Sequence, residues 1–157
     1  MVATASLNPL KFQDTHTTLK GEQRAMVGYE GLQTLWFNTG TLCNLTCENC
    51  YIESSPSNDA LTFLTARDVS QYLDEVASLG ERPAEIGFTG GEPFVNPHMG
   101  ELLADALGRG YRVLVLTNAM RPMLRDRMKQ QLLSLKETFG AALVMRVSLD
   151  HYTSNLH

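Results

Sequence analysis

At 157 residues and 43% apolar content the chain has the size and composition of one packed domain. Its 17 acids and 13 bases give a formal charge of -4 and a pI near 5.5, spread without the basic stripe that phosphate neutralisation needs, which disfavours nucleic acid as a partner. No run approaches the roughly 18 consecutive apolar residues of a membrane helix, and the N-terminus lacks the apolar core of a signal peptide, so the expectation is a cytoplasmic protein with no membrane partner.

Residues 1–31 are polar and threonine-rich, with only scattered apolar anchors such as Leu7, Leu10 and Phe12, and read as an N-terminal arm. From residue 32 an alternation of strand and helix patterns begins, the signature of parallel strands joined by crossover helices. Residues 32–39, with Leu32, Leu35, Trp36 and Phe37, predict a first strand in which Trp36 is core. Thr65 and Asp68 then form a capping-box variant for a helix whose apolar face is Val69, Tyr72, Leu73, Val76 and Ala77, closed by Gly80. Residues 84–89 predict a second strand running into Gly90-Gly91. Asn96 is the expected cap of a second helix, with Pro97 at its first position and Met99, Leu102, Leu103, Ala106 and Leu107 buried.

Residues 111–117 carry the continuous apolar run Val113-Leu114-Val115-Leu116 of a strand covered on both faces. Pro122 opens a third helix with Leu124, Met128, Leu132, Leu135 and Phe139 at helical spacing up to Gly140. Residues 143–149 predict a fourth strand ending at Asp150. Polar candidates therefore follow every strand, as on the reactive rim of a (β/α) barrel. A closed eight-fold barrel takes roughly 250 residues. Four parallel strands and three helices in residues 32–157 are thus expected to be the N-terminal section of a partial TIM-like barrel, truncated midway.

All three cysteines, Cys43, Cys47 and Cys50, stand in one loop leaving the first strand. An odd number so closely spaced argues for ligation in a reducing compartment rather than for disulfides. Four-iron clusters usually take four thiolates, so three would leave one iron open for another ligand. Zinc with His98 or His151 as a fourth ligand is the competing reading, although structural zinc sites more often draw paired ligands from two segments.

Cys-x3-Cys-x2-Cys followed by Tyr51, with Gly90-Gly91-Glu92-Pro93 after the next strand, resembles the radical S-adenosylmethionine superfamily. Within it the pattern looks most like the branch of molybdopterin-biosynthesis and peptide-modifying enzymes. The resemblance implies a 4Fe-4S cluster on the three cysteines and S-adenosylmethionine chelated to the open iron. It also implies reductive cleavage to a 5'-deoxyadenosyl radical that takes hydrogen from a substrate the sequence does not identify, with an electron donor such as flavodoxin or ferredoxin. By the same resemblance the turn at Gly90, Gly91, Glu92 and Pro93 binds the methionyl end of the cofactor, while Tyr51, Asn118, Ser148 and Asp150 are further cofactor contacts. Asn49 departs from the pattern, since the family often has an aromatic or other apolar residue before the third cysteine. Two other readings stand beside the enzyme: a cluster-binding remnant without turnover, and a zinc-stabilised interaction module.

Overall fold

A computed structural model of the chain describes residues 13–149. Two compact units divide between Glu30 and Gly31. In the first, Asp14 Oδ1 accepts from the backbone N–H groups of His16 and Thr17 (2.7 and 2.8 Å), and Thr17 pairs with Gln23 in a single antiparallel bridge.

The second unit is a four-stranded parallel sheet in the order β1-β2-β3-β4, formed by Thr34–Asn38, Glu85–Thr89, Arg112–Thr117 and Leu143–Val147. Helices α1 (Ala66–Ser78), α2 (Met99–Gly108), α3 (Arg121–Leu124) and α4 (Asp126–Phe139) lie in the crossovers. None of the described helices is long and apolar enough to cross a membrane. The architecture is the α/β pattern read from the sequence, strand for strand.

Alternation along the strands decides what the core contains. Residues paired across the sheet at one parity, such as Phe37, Phe88 and Val115, are buried and pack with Val69 and Leu73 of α1 and Leu102, Leu103 and Ala106 of α2. Trp36 has the other parity, so it is not core: it is 44% exposed, and its indole covers the Cα of Gly87, where an added Cβ would sit 2.3 Å from the ring. Leu114 and Leu116 share that face and are only half-buried.

The capping box of α1 is present, with the Asp68 N–H donating to Thr65 Oγ1 at 3.3 Å and Asp68 Oδ2 accepting from the Thr65 N–H at 2.9 Å. Asn96 does a different job from the one its position suggests. Helix α2 starts at Met99 with His98 as its N-cap, and the Asn96 side chain instead donates to the carbonyls of Thr39 (3.1 Å) and Leu64 (2.9 Å) while accepting from His98 N–H. It thus joins the end of β1 to the approach to α1. The single helix expected from Pro122 to Phe139 is broken at Arg125, where ψ is 137°. Helix α3 packs on the 3-10 turn Pro93–Val95 and α4 on α2, so one straight helix could not serve both. Leu124 accordingly leaves the buried stripe and is 55% exposed. Strand β4 stops at Val147, two residues early, although Ser148 N–H still donates to the Thr117 carbonyl at 2.9 Å.

Candidate functional site

Parallel strands leave all their C-terminal ends on one side of a sheet, and here four polar segments meet there. The loop after β1 is closed by a parallel bridge between Leu42 and Ser55, with Cys43 N–H donating to the Ser55 carbonyl at 3.1 Å. Within this ring the Cys50 N–H bonds the Cys47 carbonyl, and Glu53 turns the chain through a left-handed conformation at φ 51°. All three thiols are free and line a cavity of about 210 Å³, together with Tyr51, Ser54, Gly90, Gly91, Thr117, Asn118 and Ser148.

Two sulfurs already accept backbone hydrogen bonds, Cys43 Sγ from Leu45 N–H at 3.4 Å and Cys50 Sγ from Ser54 N–H at 3.3 Å. Burial pushes the Cys43 thiol up, helped by the negative charge of Glu92, against the Leu45 N–H. At Cys50 burial also opposes ionisation, but the N–H groups of Ser54 and Ile52, the Ser54 hydroxyl and the Glu53 N–H outweigh it and hold the thiol below its ordinary value.

The glycine pair makes this loop's close seat. Gly90 has φ 144°, and a Cβ there would lie 2.7 Å from the Gly40 carbonyl oxygen; one on Gly91 would meet the Leu42 carbonyl oxygen at 2.3 Å. Because neither carries a side chain, Gly91 N–H reaches the Gly40 carbonyl (2.9 Å) and Glu92 N–H the Leu42 carbonyl (3.1 Å), which fixes the backbone just before Cys43.

Glu92 and Pro93 lie behind the cavity wall, both buried. The Glu92 carboxylate accepts from Phe94 N–H (3.1 Å) and Thr117 Oγ1 (2.8 Å) through one oxygen, and from Asn118 N–H (2.8 Å) through the other. Burial raises its pKa, offset by those same three donors. Asn118 carries the link onward, donating to Asn44 Oδ1 at 3.1 Å with Cys43 Sγ 3.8 Å away. The ends of β2 and β3 and the cysteine loop are thereby one hydrogen-bonded unit.

Among the residues expected at the site, Cys43, Cys47, Cys50, Tyr51, Gly90, Gly91, Asn118 and Ser148 line one cavity, and Asp150 lies outside the described residues. Tyr51 is 83% exposed at its mouth. Asn44 and Ser54 were not legible as site residues, and Thr117 was legible only as the polar end of its strand beside Asn118. Thr117 ends an apolar run and was the one with a usable signal, since its parity places it with the buried face just before the rim.

The donor set fits an iron–sulfur group better than zinc. Three thiols come from one loop; His98, the N-cap of α2, is not among the residues lining their cavity and has its Nδ1 3.7 Å from Glu101, while His151 lies outside the described residues. Among the described residues, no three His, Cys, Asp or Glu side chains converge as they would around a single ion.

A cysteine loop is thus seated by a paired-glycine turn over the C-terminal ends of parallel strands in an α/β fold. The chain belongs to the radical SAM superfamily, which it matches over residues 37–157. Members of that family use a 4Fe-4S cluster and S-adenosylmethionine. The chain is 34% identical over 115 residues to the antilisterial bacteriocin subtilosin biosynthesis protein AlbA of Bacillus subtilis, covering 73% of this chain and 23% of AlbA. It is also 29% identical to a 7-carboxy-7-deazaguanine synthase of Methanopyrus kandleri over 65% of this chain and 43% of that protein. Its fold matches that of Streptococcus suis SuiB bound to S-adenosylmethionine with a TM-score of 0.64 at 18% identity, over 80% of this chain and 27% of SuiB. These matches make the sheet and helices the N-terminal portion of the radical SAM barrel. The chain spans about a quarter of the length of AlbA and of SuiB.

Proposed function

We propose that Cys43, Cys47 and Cys50 hold a 4Fe-4S cluster, that S-adenosylmethionine occupies the adjoining cavity, and that the whole protein cleaves it reductively to abstract hydrogen from a substrate. The observation that carries this reading is the single cavity in which the three free thiols face the Gly90-Gly91 turn, Asn118 and Ser148. Such a group supplies one electron to a carbon–sulfur bond of the cofactor. The chain's own residues bind and orient. Gly90 and Gly91 line the wall without side chains and so allow a close approach to the backbone, Asn118 places an amide beside Cys43, and exposed Tyr51 offers an aromatic face at the mouth. Asp150 joins the cofactor contacts by the likeness to the family.

AlbA serves bacteriocin biosynthesis and SuiB has been captured with its precursor peptide SuiA, which supports a peptide as the substrate of the whole protein. An acidic one-electron donor of the flavodoxin or ferredoxin kind completes the reaction, in a reducing, cytoplasmic setting that keeps the thiols free. Anaerobic reconstitution tests the reading: one four-iron cluster per chain, lost in Cys43→Ala, Cys47→Ala or Cys50→Ala, with S-adenosylmethionine perturbing the electron paramagnetic resonance of the reduced cluster. Stoichiometric zinc without iron uptake would overturn it.

A further inference from the structure

Among the described residues of the cysteine loop, Ser54 carries a buried side-chain polar atom that is left over. Its side chain is buried, with the residue 4% exposed, and it lines the cavity with the three cysteines. Among the described residues its Oγ makes no hydrogen bond of good geometry, although the hydroxyl is near enough to the Cys50 thiol to favour its ionisation. The neighbouring hydroxyl shows the contrast, for Ser55 Oγ sits 3.3 Å from Ser57 Oγ and accepts from Ser57 N–H. A buried hydroxyl without a well-made hydrogen bond is costly, so a site that keeps one beside a thiol is shaped for a sulfur acceptor that is completed when a ligand arrives.

Backbone geometry narrows the acceptor. Glu53 is held at φ 51°, and its side of the loop is pinned by Asn58 Nδ2 donating to the Glu53 carbonyl at 3.0 Å. The turn delivers Ser54 N–H to Cys50 Sγ at 3.3 Å, so backbone and side chain of Ser54 both face the sulfur side of the cavity. We infer that Ser54 is a positioning residue for the iron–sulfur group, its hydroxyl donating a hydrogen bond to a sulfur of the cluster and so raising the cluster's reduction potential. The direction follows from charge: a donor aimed at sulfur stabilises the more electron-rich, reduced state. This rests on the cluster reading above and adds a specific partner to it.

The test is a redox titration of the reconstituted chain followed by electron paramagnetic resonance, with iron and sulfide assayed in parallel. Ser54→Ala should keep its iron but take up its electron at a more negative potential, while Ser54→Thr, which retains the hydroxyl, and Ser55→Ala stay with the unsubstituted chain. An unchanged potential in iron-loaded Ser54→Ala, or an equal shift in Ser55→Ala, overturns the assignment and leaves the cluster reading intact. A Ser54→Ala chain that no longer holds iron would make the role structural and also overturn it. Failure of the unsubstituted chain to take up iron is the separate result that removes the cluster reading itself.

Discussion

Glu92 brings a carboxylate into the interior at a point where Phe94 N–H, Thr117 Oγ1 and Asn118 N–H all donate to it. Its raised pKa means that the folded chain binds this proton more tightly than the unfolded one, so the group's contribution to stability is present below the usual value of 4.5 and is lost as pH rises through the folded value. Replacing it with glutamine turns an amide N–H₂ toward the Asn118 N–H, and Glu92→Gln should cost about 1–3 kcal/mol near neutral pH. In urea melts between pH 4 and 7 the parent's stability should change with pH along a more negative slope than the variant's, the difference being the Glu92 contribution; equal slopes would sink this account. Gly91 is constrained by contact rather than by φ. A Cβ there runs into the Leu42 carbonyl, so Gly91→Val should displace the backbone ahead of Cys43 and lower both iron content and S-adenosylmethionine affinity. Iron assay and calorimetry on the same sample check it, and loss of neither would show that the seat tolerates bulk.

Between elements, one polar tie is Arg109 at the end of α2, which reaches Asp74 Oδ1 (2.6 Å) and Ser70 Oγ (2.6 Å) on α1 and Asp105 Oδ1 (2.9 Å) on its own helix. Asp74 is largely exposed, which screens that pair and keeps its worth modest. Arg109→Lys cannot make three directed bonds from one ammonium in that geometry, and should lose about 1 kcal/mol against denaturant, nearly as much as Arg109→Ala. Lysine matching the parent would show that charge alone suffices. Asn96 works across a longer span, because its amide holds the carbonyls of Thr39 and Leu64 while the chain between them makes the cysteine loop and its return. Asn96→Ala leaves two buried carbonyls unpaired, and iron retention should fall together with a loss of several kcal/mol. Thermal melts of the apo and iron-loaded forms read the two effects separately.

On the scale of the whole sheet, the described β4 has a neighbour on one side only, as does β1. Beside β4 a groove of about 350 Å³ is walled by Met123, Leu132, Leu133, Leu143 and Met145, and Val147 is 56% exposed. Unpaired strand backbone next to apolar surface invites pairing with another chain. The 157-residue chain should therefore self-associate in sedimentation velocity, and Val147→Lys should reduce that association; a monomer at all concentrations would show the edge to be covered. Because the fold matches only part of the longer barrel of SuiB, 5'-deoxyadenosine formation under dithionite should be slow from these 157 residues compared with a longer chain carrying further barrel strands. Equal rates would mean that these residues suffice for turnover.

Strand order, the buried stripe of α2 and the grouping of Cys43, Cys47 and Cys50 after β1 were legible in the sequence, because periodicity reports which face of an element is dry and three thiols in one loop need no tertiary information to be neighbours. The parity of Trp36 was legible in principle, yet a single large aromatic in a strand says nothing about which sheet face is covered until the helices are placed. What only tertiary structure decided are contacts between segments far apart in the chain: Asn96 clasping Thr39 and Leu64, Glu92 receiving Thr117 and Asn118, the break at Arg125. Each depends on where a second element comes to rest. A polar side chain after a strand carries the same local signal whether it will meet a ligand, as the position of Asn118 suggests, or the backbone of a neighbouring strand, as Glu92 does; only packing separates the two.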